Sequence, residues 1–222
     1  MTTIDKKEIK RKRMMSYFID AADKIIDEEG IDQLTIRKVA DLAGYNSATI
    51  YNYFENLEHL VCYSAISYLK DYYISLNDYI KEAKNGYERF LLIWEKFCTH
   101  SYKNPKIYRT IFFSSTKQTT SEIFNDYFSI FPFDFGKYNS YVSQMLIEKD
   151  IHSRDKAILM NLVEENYIRE QNIDEINDFI IVFYRGMLAR IIDKLDYEEI
   201  NIEEEVKKTV KYIRKILEGY KE

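Results

Sequence analysis

The chain has 222 residues, too long for a lone small motif and suited to one compact domain with a small one appended. Hydrophobic residues make up 46% of it, enough for a core, while 2 Pro and 6 Gly are too few for the frequent turns of a β-sandwich or an α/β fold, so an all-α fold is predicted. The net charge of −5 argues against coating nucleic acid by bulk electrostatics, but residues 1–13 form a local basic patch in which Lys6, Lys7, Lys10, Arg11, Lys12 and Arg13 stand against Asp5 and Glu8.

From about residue 6 to 29, Met14, Phe18, Ala21, Ala22, Ile25 and Ile26 recur at steps of three and four, the period of a helix with one apolar face, and Gly30 follows as its terminator. Thr35 is an N-cap for a short helix over 36–43, which Gly44 closes; Asn46 is an N-cap for a second, from Ser47 to about Phe54. The next apolar period runs over about 57–82, and Asn85-Gly86 breaks it. A helix over about 87–102 carries Phe90, Leu91, Trp94, Phe97 and Cys98, and Asn104-Pro105 opens a shorter one through Tyr108 and Phe112. Residues 115–137 are less regular, with a helix expected at about 121–131. Two long helices follow, at about 153–171 and 174–195, and an amphipathic helix at about 203–217 ends the pattern.

Cys62 and Cys98 fit neither a disulfide framework nor a zinc spacing, and the chain does not start with the apolar run of a signal peptide. No stretch reaches the roughly 18 apolar residues that span a bilayer, so no membrane association and a reduced, cytoplasmic setting are expected. His59, His100 and His152 are too scattered for a metal site. No Gly-rich phosphate loop or nucleophile elbow occurs, so neither a cofactor nor enzymatic activity is expected.

The segment from Leu34 to Phe54 has the spacing of a helix-turn-helix. Ala40 stands where the two short helices cross and only a small side chain allows close approach. Gly44 supplies the positive φ of the turn, and Ile36, Val39 and Ile50 close the core. In such a motif the second helix enters the DNA major groove with its N-terminal residues at base edges. Here those are Asn46, Ser47, Ala48, Thr49 and Asn52, small or hydrogen-bonding as base readout requires.

Thr35-Ile36-Arg37-Lys38-Val39-Ala40, the Ala43-Gly44 turn and Thr49-Ile50-Tyr51-Asn52-Tyr53-Phe54 together resemble the signature of the tetracycline-repressor (TetR) family, over residues from about 12 to 61. The resemblance implies a helix-turn-helix DNA-binding domain over 1–56 and a helical ligand-binding and dimerisation domain over 57–222. It implies phosphate contacts from Thr35, Arg37, Tyr51 and Tyr53, and a basic arm, Lys10 to Arg13, within reach of a further phosphate or groove. Leu57 replaces the Lys that the family usually carries after the recognition helix, so one phosphate contact is lost there, with His59 as a partial substitute and Tyr45 as a further contact.

The resemblance further implies a homodimer joined through the helices at about 153–171 and 174–195. Two recognition helices would then sit about 34–36 Å apart and read a near-palindromic operator in double-stranded DNA. It also implies a cavity for a small-molecule effector, for which Trp94, Cys98, Phe112, Phe128, Tyr141, Met145 and Tyr184 are the mostly apolar candidates. A ligand there would move the helix at about 57–82 as a lever and release the operator, making the protein a repressor. Two other readings stand beside this one. A di-iron bundle enzyme needs Glu-x-x-His pairs, which are absent. A regulator acting through protein contacts without an inducer would show a collapsed cavity.

Overall fold

The computed structural model describes residues 3–113, 120–134, 138, 140–148, 150–195 and 199–222. Among these every regular element is helical: α1 (Thr3–Glu29), α2 (Ile36–Ala43), α3 (Ser47–Ile50), α4 (Leu57–Ile80), α5 (Gly86–Lys103), α6 (Pro105–Phe113), α7 (Thr120–Ile130), α8 (Ser140–Ile147), α9 (Ile151–Glu164), α10 (Ile173–Leu195) and α11 (Ile202–Gly219), with two 3₁₀ turns at Ile31–Gln33 and Glu170–Asn172. Of the stretch expected to be less regular, 115–119 and 135–137 lie outside the described residues. The helices group into two compact units, residues 1–70 with 109–134, and residues 71–108 with 135–222.

The first unit is built on α1, whose Met15, Phe18, Ile19, Ala22 and Ile26 are buried at helical spacing. The basic N-terminal stretch is the first part of this helix rather than a separate arm. Its Arg11 faces inward along the unit: Arg11 Nη2 lies 3.2 Å from Asp126 Oδ2 on α7, which also accepts a 3.1 Å hydrogen bond from the Tyr63 hydroxyl. Lys38 Nζ bonds Glu29 at 2.6 Å and ties α2 to the end of α1.

The second unit packs α5, α9, α10 and α11 around stacked aromatics. Tyr184 lies parallel to Tyr102 at 6.2 Å and meets Trp94 at 5.4 Å and Phe97 at 5.3 Å. The Tyr102 hydroxyl shares a 2.8 Å bond with Thr209, so α11 docks by one buried polar contact among Val206, Ile213 and Leu217. Gly86 opens α5 under Asn85, whose Oδ1 caps Glu88 N–H at 2.8 Å. The Gly86 N–H reaches both carboxylate oxygens of Glu165, at 2.8 and 2.7 Å, and a Cβ there would stand 2.9 Å from Asn161.

Two expectations are corrected and one helix is added. The helix expected to reach about Gln171 stops at Glu164, because Asn166 takes the left-handed conformation at φ 55. Tyr167 N–H then bonds Leu162 O at 2.8 Å and Asn166 N–H bonds Val163 O at 2.9 Å, the Schellman arrangement. The helix expected from Ser47 to Phe54 ends at Ile50 and continues as a tight turn, in which Asn52 and Tyr53 N–H bond the carbonyls three residues back. Finally, α8 had no counterpart in the sequence reading; its Val142, Met145 and Leu146 are buried.

Candidate nucleic-acid interface and core cavity

Three local caps shape the helix-turn-helix. Thr35 Oγ1 accepts from Lys38 N–H at 3.2 Å and starts α2. Gly44, at φ 77, ends it: Gly44 N–H bonds Asp41 O at 3.3 Å and Tyr45 N–H bonds Ala40 O at 2.9 Å. Asn46 Oδ1 then accepts from both Thr49 N–H at 2.9 Å and Thr49 Oγ1 at 3.0 Å, which sets the start of α3. Beneath these, Val39, Ala40, Ile50 and Phe54 are buried.

On the outside, Thr35, Arg37, Tyr45, Asn46, Ala48, Tyr51 and Asn52 are exposed, and Ser47, Thr49 and Tyr53 are half-buried. The Arg37 side chain is 88% exposed, its nearest acid being Asp41 at 3.8 Å, so it is available to an anion. Tyr45 and Tyr53 rest their rings on Phe18, at 5.4 and 5.9 Å, which restrains them before any contact is made. His59 departs from its expected place at a phosphate. Its residue is only 4% exposed, Nδ1 accepts from Glu55 N–H at 3.1 Å, and the ring packs edge-on against Phe54 and Tyr63. Asn56 Oδ1 receives the His59 N–H at 2.8 Å, so the histidine belongs to the cap of α4.

In the second unit, Trp94 and Met145 line a cavity of about 30 Å³ together with Tyr72, Ile93, Phe97, Ile151, Arg154, Asp155 and Ile158. Tyr184 abuts Trp94 from behind, and Tyr141 lines a filled recess with Gly86 and Ile158. Cys98 is buried, and burial pushes its thiol up to about 12, which keeps it protonated. Phe112 and Phe128 belong to the first unit, where Phe128 meets Tyr127 at 5.4 Å and Phe124 at 6.0 Å.

Sequence reasoning missed the two charged groups of this cavity. Arg154 Nη1 donates to the Tyr73 hydroxyl at 3.1 Å and to Glu148 O at 3.2 Å. Asp155 is 2% exposed and accepts the Trp94 indole N–H at 2.8 Å. The signal was available: Ile151, Arg154, Asp155 and Ile158 occupy i, i+3, i+4 and i+7, so two charges sit on the apolar face of α9.

Burial pushes the Asp155 carboxyl up to about 8, against the smaller opposing effect of the Trp94 bond. An acid whose folded value is raised contributes stability below its unfolded value and loses it as pH rises to the folded one. From pH 4 to 8, wild type is therefore expected to lose up to about 1.4 kcal/mol per pH unit relative to D155N, which keeps an acceptor for Trp94. Thermal melts at pH 5 and pH 8 check this; parallel shifts of both proteins would refute it.

A capped helix-turn-helix with its polar residues exposed is the arrangement by which such motifs enter the DNA major groove. Residues 18–62 match the family described as bacterial regulatory proteins, tetR family. An HTH-type transcriptional regulator of Staphylococcus aureus (strain USA300) is 22% identical over 178 residues, covering 77% of this chain and 92% of its own. An uncharacterized HTH-type transcriptional regulator of Haemophilus influenzae is 29% identical over 94 residues, 42% of this chain and 50% of its own. Among solved structures, FadR of Thermus thermophilus, a TetR-family repressor in complex with lauroyl-CoA, superposes with TM-score 0.59 at 12% identity, covering 90% of this chain and 93% of that one. RolR in complex with resorcinol does so with TM-score 0.58 at 16% identity, covering 95% and 94%. The match to the tetR-family model thus falls on the helix-turn-helix segment, and the solved structures share the helical fold over most of the chain. Among the described residues no helix is long and apolar enough to cross a membrane.

Proposed function

We propose that the protein is a cytoplasmic, homodimeric repressor that a small, mostly apolar ligand releases from its operator. Residues 1–56 bind DNA in this reading, and residues 57–222 bind the ligand and the second protomer. The observation that carries it is the exposure of the capped α2–α3 segment. Thr35, Arg37, Tyr45, Tyr51 and Tyr53 would hold phosphates, and Asn46, Ser47, Ala48, Thr49 and Asn52 would read bases. Asn46 would do so while capping α3, which fixes its orientation.

Self-association is supported by α10. Phe179 and Val182 are 52% and 70% exposed, and Gly186 and Ala189 continue the same stripe with open space over Gly186. Half-buried Met160 and Val163 offer an apolar edge on α9. An effector is supported by the cavity at Trp94 and Met145 and by relatives whose structures hold lauroyl-CoA and resorcinol. The small size of the cavity favours a second reading, a regulator that acts through protein contacts without an inducer.

The test is a titration into labelled duplex from upstream of the protein's own gene, with excess random DNA, at two salt concentrations. Binding that survives competitor and weakens as salt rises is the expected result. Competitor-sensitive binding there and to genome fragments would overturn the reading. An effector that releases the bound duplex separates the two modes of regulation.

A further inference from the structure

Asp155 leaves a hydrogen-bonding position open in the wall of the second unit's cavity. Asp155 Oδ1 holds the Trp94 indole N–H at 2.8 Å, while Oδ2, fully buried, has no hydrogen-bond partner among the described residues. We propose that this cavity takes a compact, uncharged molecule, apolar over most of its surface and carrying one oxygen acceptor, and that Asp155 Oδ2 is the group that reads that oxygen. The proposal rests on the ligand-gated reading given above and adds the ligand's chemistry to it.

Three features lead to this class. Burial pushes this carboxyl up to about 8, which favours its neutral form at pH 7. With Oδ1 accepting from Trp94, the proton sits on Oδ2, which therefore donates and calls for an acceptor in the ligand. Second, Arg154 on the same wall is a permanent cation, which disfavours an amine or quaternary ammonium ligand. Its Nη1 is engaged by Tyr73 and the Glu148 carbonyl, and the other walls are Tyr72, Trp94, Phe97 and Met145, which offer apolar contact rather than charge. A ligand carboxylate would have to lose its hydration against them. Third, the free volume is about 30 Å³, whereas an apolar cavity that binds benzene has about 150 Å³. Entry thus requires a wall to give way. Met145 is the wall with an unbranched, adaptable side chain, and it stands on the eight-residue α8.

Trp94 is the single tryptophan of the chain, so its indole N–H gives one signal in a proton–nitrogen correlation spectrum and reports on Asp155 directly. Cyclohexanone and methylenecyclohexane share one shape and differ in the oxygen. Both are titrated into the full-length protein, into D155N and into D155L, following the indole signal and the Met145 methyl. D155N keeps an acceptor for Trp94 and a donor for the ligand; D155L removes both. The ratio of affinities for the two probes is expected to be alike in wild type and D155N, and to shift about fivefold to tenfold against cyclohexanone in D155L. If D155L does not fold, the new side-chain amide signal in D155N carries the test, moving with cyclohexanone and not with methylenecyclohexane.

An unchanged ratio across the three proteins would overturn the proposal. So would tighter binding of cyclohexylammonium or cyclohexanecarboxylate than of cyclohexanone, or failure of cyclohexanone to move either signal. These readouts do not involve DNA. Binding that leaves operator affinity unchanged would refute the gating and keep the site, and release of operator by a ligand indifferent to Asp155 would do the reverse.

Discussion

If the proposed dimer forms through α10, substituting Val182 by Glu is expected to leave the protein monomeric and to weaken operator binding by about 10²–10⁴-fold. Val182 is 70% exposed on α10, one turn from Phe179 at 52%, so the change costs the single chain little. Across a two-fold axis, however, each V182E protomer would bring a carboxylate into an apolar stripe, where it would be desolvated beside its own copy. A dimer engages the second half-site at the effective concentration set by the first, and a monomer loses that gain without losing any contact to DNA. Sedimentation velocity and a salt-matched operator titration measure both effects. V182E that remains dimeric would place the interface elsewhere, and a monomer with undiminished affinity would refute the two-site account.

The second large effect is expected at Phe54, which ends the α3 turn. It is 1% exposed and meets Tyr63 at 5.4 Å, His59 at 5.8 Å and Phe18 at 6.4 Å, all edge-on. One ring thus joins α1, the α3 turn and α4 within the first unit. F54A leaves a cavity among three rings and is expected to cost about 3–5 kcal/mol. In a chain of this length that lowers the melting temperature by on the order of 10 °C. Specific operator binding should fall with it, because Ile50 and the turn lose their support. A melting temperature within a degree or two of wild type would show that the rings repack.

What could be read from the residues alone depended on how local the cause was. Thr35, Gly44 and Asn46 act through bonds within four or five residues of themselves, so their capping and turn roles were legible. Asn166 performs the same service as Gly44, but an asparagine is a weaker sign of left-handed backbone, and the end of α9 was placed seven residues late. His59 was misread because its position depends on a ring packing against Phe54 and Tyr63 and on a backbone bond from Glu55, none of which follows from spacing. Trp94 and Met145 were named for apolar character and do line the cavity, whereas Arg154 and Asp155 were passed over as charges although they share a face with Ile151 and Ile158. The exposed stripe of α10 lay in a helix whose extent was read correctly to within a residue, while which of its faces stays uncovered required the fold.

The bonds that Asp126 makes to Arg11 and Tyr63 have a consequence for how the chain is made. The unit containing the helix-turn-helix is interrupted in sequence, and its α7 belongs to residues 109–134. On the ribosome, α1 to α3 leave the exit tunnel well before α7 has been translated, and at roughly 5–20 residues per second the interval is several seconds. For that time the face of α1 that Asp126 later holds is open to solvent and to other chains. The first unit is therefore completed only after residues 71–108 of the second have been synthesised, so a nascent chain arrested before residue 120 would carry a helix-turn-helix without its full support.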